Sequence, residues 1–231
     1  MDTHTSEKGF SLIEVLVAVA IVAIVAGAIT PLVLKYVGDA RSARAISDAR
    51  TMGQAIIAFN LDTGRWPVSD DGNLGDASEL SRLVGLARGD ISAGNIPDGA
   101  GTATGDGNWD GGGDGGNAGA IEDFLIYNED ANTDPLYPVS ANPAASPGWD
   151  GPYLQSVPPD PWGNPYVVNL RYLDGVGIAT TAEEQDHAVF VLSPGANGLF
   201  ETSFDDGTAL SSGAMGGDDV GWMLEGRVSG S

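Results

Sequence analysis

Between Glu14 and Lys35 run twenty consecutive uncharged residues, Val15 to Leu34, nearly all of them apolar. At 1.5 Å per residue a helix of that length spans about 30 Å, one hydrocarbon thickness. A secretory signal peptide has a shorter apolar core behind a basic start and ahead of a small-residue cleavage site. This stretch is too long, and its upstream flank of Asp2, Glu7 and Lys8 is not basic. Lys35, Arg41, Arg44 and Arg50 all follow it, so a simple count of positive charges places the wrong end in the cytoplasm. Something other than that count sets the topology.

Glu14 stands at the head of the apolar run, and a carboxylate there costs a few kcal/mol unless it is paired. Its own segment offers no Lys or Arg inside the run. The partner has to come from elsewhere. A cut after Gly9 would make the amino group of Phe10 a cation one helical turn away, and a neighbouring chain's amino terminus could serve the same role.

Gly9-Phe10-Ser11-Leu12-Ile13-Glu14 resembles the prepilin cleavage motif of type IV pilins and type II secretion pseudopilins. The resemblance implies cleavage after Gly9 by a membrane peptidase, N-methylation of Phe10, and a need for Glu14 in assembly. Pro31 falls where that family carries a helix-kinking proline. The leader, residues 1–9, departs from the pattern in being nearly neutral to acidic.

After Lys35 the pattern turns amphipathic. Val37, Ala40, Ala43, Ile46, Ala49, Met52, Ile56 and Phe59 recur at spacings of three or four, one face of a helix. Asn60, Asp62 and Gly64 supply its stop. The spacing predicts a membrane-spanning half over 10–34 and an amphipathic half over 35–61, about 75 Å if unbroken, with Pro31 kinking or locally melting it. Residues 62–231 then form a globular domain. Ala77–Ala87 reads as a short helix, and Gly94–Gly119, with eleven glycines in 26 residues, as an exposed loop. Ala120–Asn128 reads as a short helix and Pro135–Pro147 as irregular. Pro165–Leu173, Ala188–Leu192 and Val220–Leu224 read as strands. The fold class expected is α+β: one long N-terminal helix packed on a small antiparallel sheet with extended loops.

Charge divides the functions. The chain carries 32 acidic and 10 basic residues, a formal charge of −22, and no cysteine. From Gly89 onward 22 acidic residues face only Arg171 and Arg227, so this region carries −20. Such a surface excludes a nucleic-acid partner and attracts cations. The absence of Cys excludes disulfides, Cys-ligated metals and thiol catalysis. Only His4 and His187 offer imidazole, and no nucleophile signature accompanies His187, so an enzyme is not expected.

Trp149-Asp-Gly-Pro-Tyr153, Pro159-Asp-Pro-Trp-Gly-Asn-Pro-Tyr166, Ser193-Pro-Gly-Ala-Asn-Gly198 and Gly217-Asp-Asp-Val-Gly-Trp222, with Gly64-Arg-Trp-Pro67 before them, are similar in order to blocks of the major (G-type) pseudopilins. Residues of about 87–148 have no recognised counterpart and read as an insertion. The Asp160–Pro165 block is a turn feeding a strand, with Trp162 expected in the core. The resemblance implies a periplasmic domain on an inner-membrane anchor and a homopolymeric filament. It also implies partners: prepilin peptidase, minor pseudopilins and an inner-membrane assembly platform. Calcium is implied in the C-terminal loop, where Asn197, Asp218 and Asp219, with carbonyls of Leu192 or Val220, would suit a cation that takes six to eight oxygens. Asn197 stands where the family has Asp, and the long gap to Asp218 leaves room for Asp205 or Asp206 to intrude. A weaker candidate lies in the insertion, where Asp106, Asn108, Asp110 and Asp114 fit part of an EF-hand loop with Asn117 in place of the final Glu. Asp130, Asn132 and Asp134 repeat the alternation more weakly still. A surface-fibre pilin and a membrane-anchored calcium-dependent binding module remain as alternative readings.

Overall fold

The computed structural model describes residues 9–68, 80–85, 109, 117–129, 137–139, 147–173, 188–202, 204 and 215–225. The chain divides after Arg41 into two compact units. The first holds the start of α1 (Leu12–Thr63). Ile13, Val17, Ile21, Ile24, Leu32 and Leu34 are all exposed there. Among the described residues α1 is the one helix long and apolar enough to cross a membrane. The helix runs without a break through Pro31. The local melting expected there is therefore absent: proline leaves one carbonyl, that of Gly27, without its donor, and the turns on either side hold. Thr30 adds a hydroxyl bond to the Ala26 carbonyl at 2.7 Å in the same turn.

In the second unit α1 acquires a buried face, made by Ala45, Ala49, Met52, Ala55, Ile56 and Phe59. The apolar stripe read from the sequence is thus buried from Ala49 onward, whereas Val37, Ala43 and Ile46 upstream are exposed. The helix ends on Thr63. Gly64 follows at φ +70°, and its N–H returns to the Asn60 carbonyl at 2.8 Å. That left-handed closure is open to glycine at little cost.

The sheet has five strands in the order β2-β1-β3-β4-β5: β1 (Leu80–Val84), β2 (Asn117–Ala120), β3 (Val167–Asn169), β4 (Val189–Ser193) and β5 (Val220–Glu225). The expected antiparallel sheet is present as β1-β3-β4-β5, and β2 joins its edge in parallel. Three strands fall where the sequence predicts them. β1 does not: it occupies the segment read as a helix. Leu80, Leu83 and Val84 have helical spacing, but the strand lies between two others with all five residues buried, so no alternation marks it.

The segment read as an exposed glycine-rich loop is also corrected. Trp109 within it is completely buried, and residues 117–119 belong to β2. A Cβ on Gly119 would run into Leu80 and crowd Phe124, so glycine there lets β2 lie close to its neighbours. A helical turn follows as expected, Ile121–Glu122 leading into a π-helical turn at Asp123–Tyr127. Asn128 then holds the segment in place. Its side chain bonds both the N–H and the carbonyl of Tyr137, and Tyr137 meets Phe59 of α1 edge-on at 4.9 Å. The stretch read as an insertion therefore builds core.

Candidate functional site

At the amino-terminal end Gly9 and Phe10 precede α1, and Phe10 is 83% exposed. The Ser11 carbonyl accepts the N–H groups of Glu14 and Val15 at 3.0 and 3.2 Å, opening the helix. Glu14 lies in its first turn, where the helix dipole favours a carboxylate. Among the described residues no cation faces Glu14. Exposed apolar side chains surround a single acid whose partner is not supplied by this helix.

The second site gathers three turns. Asp160, buried, accepts Trp162 and Asn164 N–H groups at 2.9 and 2.7 Å through Oδ1 and the Ser193 hydroxyl at 2.7 Å through Oδ2. The turn read at Asp160–Pro165 is therefore present, but Asp160 is its buried member and Trp162 is only half-buried. A carboxylate that accepts three hydrogen bonds sets the turn by itself, with no need of an aromatic anchor. The Ser193 hydroxyl also accepts the Gly195 N–H at 3.2 Å, and Asn164 Nδ2 reaches the Gly195 carbonyl at 3.4 Å. Gly195 has φ +66°, and a Cβ on it would run into the Asp218 backbone. Only glycine lets the two turns close.

Asp218 Oδ2 accepts the N–H groups of Ala196 and Asn197 at 2.7 and 2.9 Å. Asp219 Oδ2 accepts those of Glu201 and Thr202 at 2.9 and 2.6 Å. In each aspartate the other oxygen, Oδ1, is buried without a hydrogen-bond partner. Burial raises the Asp219 carboxyl to about 6, against the bonds from Thr202 and Glu201 that favour its charged form. A buried acceptor without a donor is costly, and a cation satisfies it.

The structure brings Asn197, Asp218 and Asp219 together. The Asn197 amide oxygen accepts the Leu199 N–H at 2.7 Å. Leu192 and Val220 lie beside the cluster in the β4–β5 ladder, opposite Gly221 and Ser193. Sequence reasoning missed Glu201, whose Oε2 accepts the Asp218 N–H at 2.9 Å. Its alternation with Phe200 resembles that of any strand end, so no local signal marks it. Among the described residues no three His, Asp or Glu side chains are placed to hold a metal by themselves. Any calcium shell here would need amide and backbone oxygens to complete it. Asp106, Asn108, Asp110, Asp114, Asn132, Asp134, Asp130, Asp205, Asp206 and His187 lie outside the described residues.

Comparison with known proteins matches two segments of the chain. Residues 4–30 match the model of the prokaryotic N-terminal methylation motif. Residues 130–176 match the model of type II secretion system protein G. The chain is pilin-like. The second match begins inside the stretch read as an insertion and ends before the Ser193–Gly198 and Gly217–Trp222 blocks. A type IV major pilin of Neisseria gonorrhoeae is 33% identical over 101 residues, which are 44% of this chain and 59% of the pilin. Type II secretion system core protein G of Klebsiella pneumoniae is 26% identical over 93 residues, 40% of this chain and 61% of the relative. That of Aeromonas hydrophila is 24% identical over 160 residues, 69% and 71% of the two chains. The pilin-like chain thus spans less than two thirds of the gonococcal pilin it matches. No solved structure matches it. Its methylation motif and apolar helix fit an inner-membrane anchor, and its relatives are structural subunits rather than an enzyme family.

Proposed function

We propose that the chain is a structural subunit of a type II secretion pseudopilus. It is cut after Gly9, methylated at Phe10 and polymerised through α1, and its growing filament drives protein export. Before assembly it waits in the inner membrane with the domain that follows α1 in the periplasm. Prepilin peptidase, minor pseudopilins and an assembly platform are its partners. The observation that carries this reading is the pairing of the exposed apolar start of α1, where Glu14 is the single acid before Lys35, with a protein G match in the same chain. A neighbour's Phe10 amine supplies the missing cation and sets axial register. Glu14→Ala should be processed normally yet fail to form filaments or secrete. Secretion at wild-type levels would refute the register role.

The higher identity to the gonococcal pilin favours a second reading, a subunit of a surface fibre. Imaging separates the two: extended fibres at native expression support the surface pilus, and secretion loss on deletion supports the pseudopilus.

Calcium belongs to the same reading. Asp218, Asp219 and Asn197 would hold it, with carbonyls of Leu192 or Val220. Bound there, it would neutralise the paired aspartates and satisfy their two buried oxygens. This chain's own residues do the rest. Ala196 and Asn197 N–H groups orient Asp218, Glu201 and Thr202 N–H groups orient Asp219, and the Asp160–Ser193 pair holds the Gly195 turn against them.

A further inference from the structure

We propose that Trp109, a residue of the glycine- and aspartate-rich stretch far from the C-terminal loop in sequence, is a positioning residue for the cation site at Asp218 and Asp219. The proposal rests on the calcium reading above.

Trp109 is fully buried, with ring centroids 5.6 Å from Phe200 and 5.1 Å from Phe204. Its indole N–H donates to the Thr202 carbonyl at 2.8 Å. Its own carbonyl accepts Arg82 Nη1 at 2.8 Å, and the Arg82 guanidinium, buried on β1, lies over the Phe204 ring at 5.1 Å. The indole is therefore gripped from the sheet side and from both flanking aromatics.

Thr202 faces the other way with its remaining groups. Its N–H donates to Asp219 Oδ2 at 2.6 Å, and its hydroxyl accepts the Gly216 N–H at 2.8 Å. One residue thus carries the Trp109 bond on its carbonyl and the base of the acidic turn on its N–H and hydroxyl. The Thr202 and Glu201 N–H groups engage Asp219 Oδ2 and leave Oδ1 buried without a donor. Turning the carboxylate to hydrate Oδ1 would break both bonds. Fixing Thr202 therefore keeps Asp219 in the orientation that a cation would use. Phe200 and Phe204 alone would bury this segment but would not fix the rotation of the Thr202 peptide. The indole N–H anchors one of the two peptide planes that meet at the Thr202 Cα, and the bond from the Thr202 N–H to Asp219 lies in the other, so the two bonds together limit rotation about Thr202.

The test uses the full chain in detergent, with calcium titrated by calorimetry and melting followed in chelator. Trp109→Phe keeps a ring between Phe200 and Phe204 and removes the donor. Replacing Trp109 by benzothienylalanine keeps the indole shape and also removes the donor, so it reports even where Trp109→Phe fails to fold. Both should weaken calcium binding about fivefold, the loss of one hydrogen bond, while the isosteric variant melts in chelator as the wild type does. Equal calcium affinity in wild type and isosteric variant overturns the role of Trp109 and leaves the site intact. A merely structural role would lower melting in chelator and in calcium alike and leave affinity unchanged, which also overturns it. Absence of calcium uptake by the wild type removes the calcium reading itself.

Discussion

Asp219 shows how much one side chain can report. Its carboxyl rises to about 6 because burial disfavours the charge more than two backbone N–H groups favour it. Unfolded, the same group titrates near the ordinary Asp value of about 3.9. Between those values the folded chain binds the extra proton, so its stability relative to the unfolded chain falls as pH rises from about 4 to about 6. Above about 6 the folded state carries the full penalty of a buried charge. Below about 4 the penalty is gone. In chelator, Asp219→Asn should flatten this part of the stability–pH curve, measured by denaturant unfolding at successive pH values. An unchanged slope in the variant would assign the dependence to other carboxylates. That Asp218 and Asp219 stand side by side was readable from the Gly217–Trp222 block. The two orphaned oxygens were not, because they depend on N–H groups of Glu201 and Thr202 seventeen or eighteen residues away.

At the scale of elements, α1, β4 and β5 were legible because each carries its own signal: an unbroken apolar run with a glycine stop, or a compact β-branched and aromatic cluster. β1 was not, because burial on both faces removes alternation, and its Ser81 and Arg82 disguise a strand interior. Trp109 was hidden by its glycine-rich surroundings, which read as loop whatever a lone aromatic does. That α1 packs on the sheet was legible; the contact that sets how closely it packs was not, since it depends on a residue with no side chain. Gly53 lies in the buried face of α1, and a Cβ there would run into the ring of Trp222 on β5. Helix propensity favours Gly53→Ala by about 1 kcal/mol, but overpacking costs about 1–3 kcal/mol, so the clash wins. Gly53→Ala should lower stability by about 1 kcal/mol in denaturant melts. Adding Trp222→Leu should cancel much of that loss in a double-mutant cycle. Additive effects would mean that the ring does not set the helix–sheet separation.

For the whole molecule the controlling quantity is charge. Residues 89–231 hold −20 of the formal −22, and like charges in one domain oppose its compaction. Two cation effects follow from different physics. Monovalent salt acts by screening: the Debye length falls from about 30 Å at 0.01 M to about 8 Å at 0.15 M. It touches every acidic residue and needs no site. Calcium in the proposed loop would act at two aspartates whose inner oxygens lack donors, and its effect should saturate. Melting the full chain in chelator should therefore show a rise of a few degrees on adding 0.15 M sodium chloride, the scale of about 1 kcal/mol in a chain this long. That rise should persist in the Asp218→Ala/Asp219→Ala double variant, whereas the further gain from millimolar calcium at fixed ionic strength should disappear. If salt alone gives no gain, the acidic surface is not under self-repulsion. If the double variant keeps its calcium gain, the cation acts elsewhere in the acidic region. In the proposed filament a chain this negative would stack against its own copies, so the same screening would bear on assembly: subunits would repel at range and be held at contact by apolar helices and by the proposed Glu14–amine pair. Raising ionic strength should then speed filament growth from purified subunits, while Glu14→Ala stays monomeric at every salt concentration.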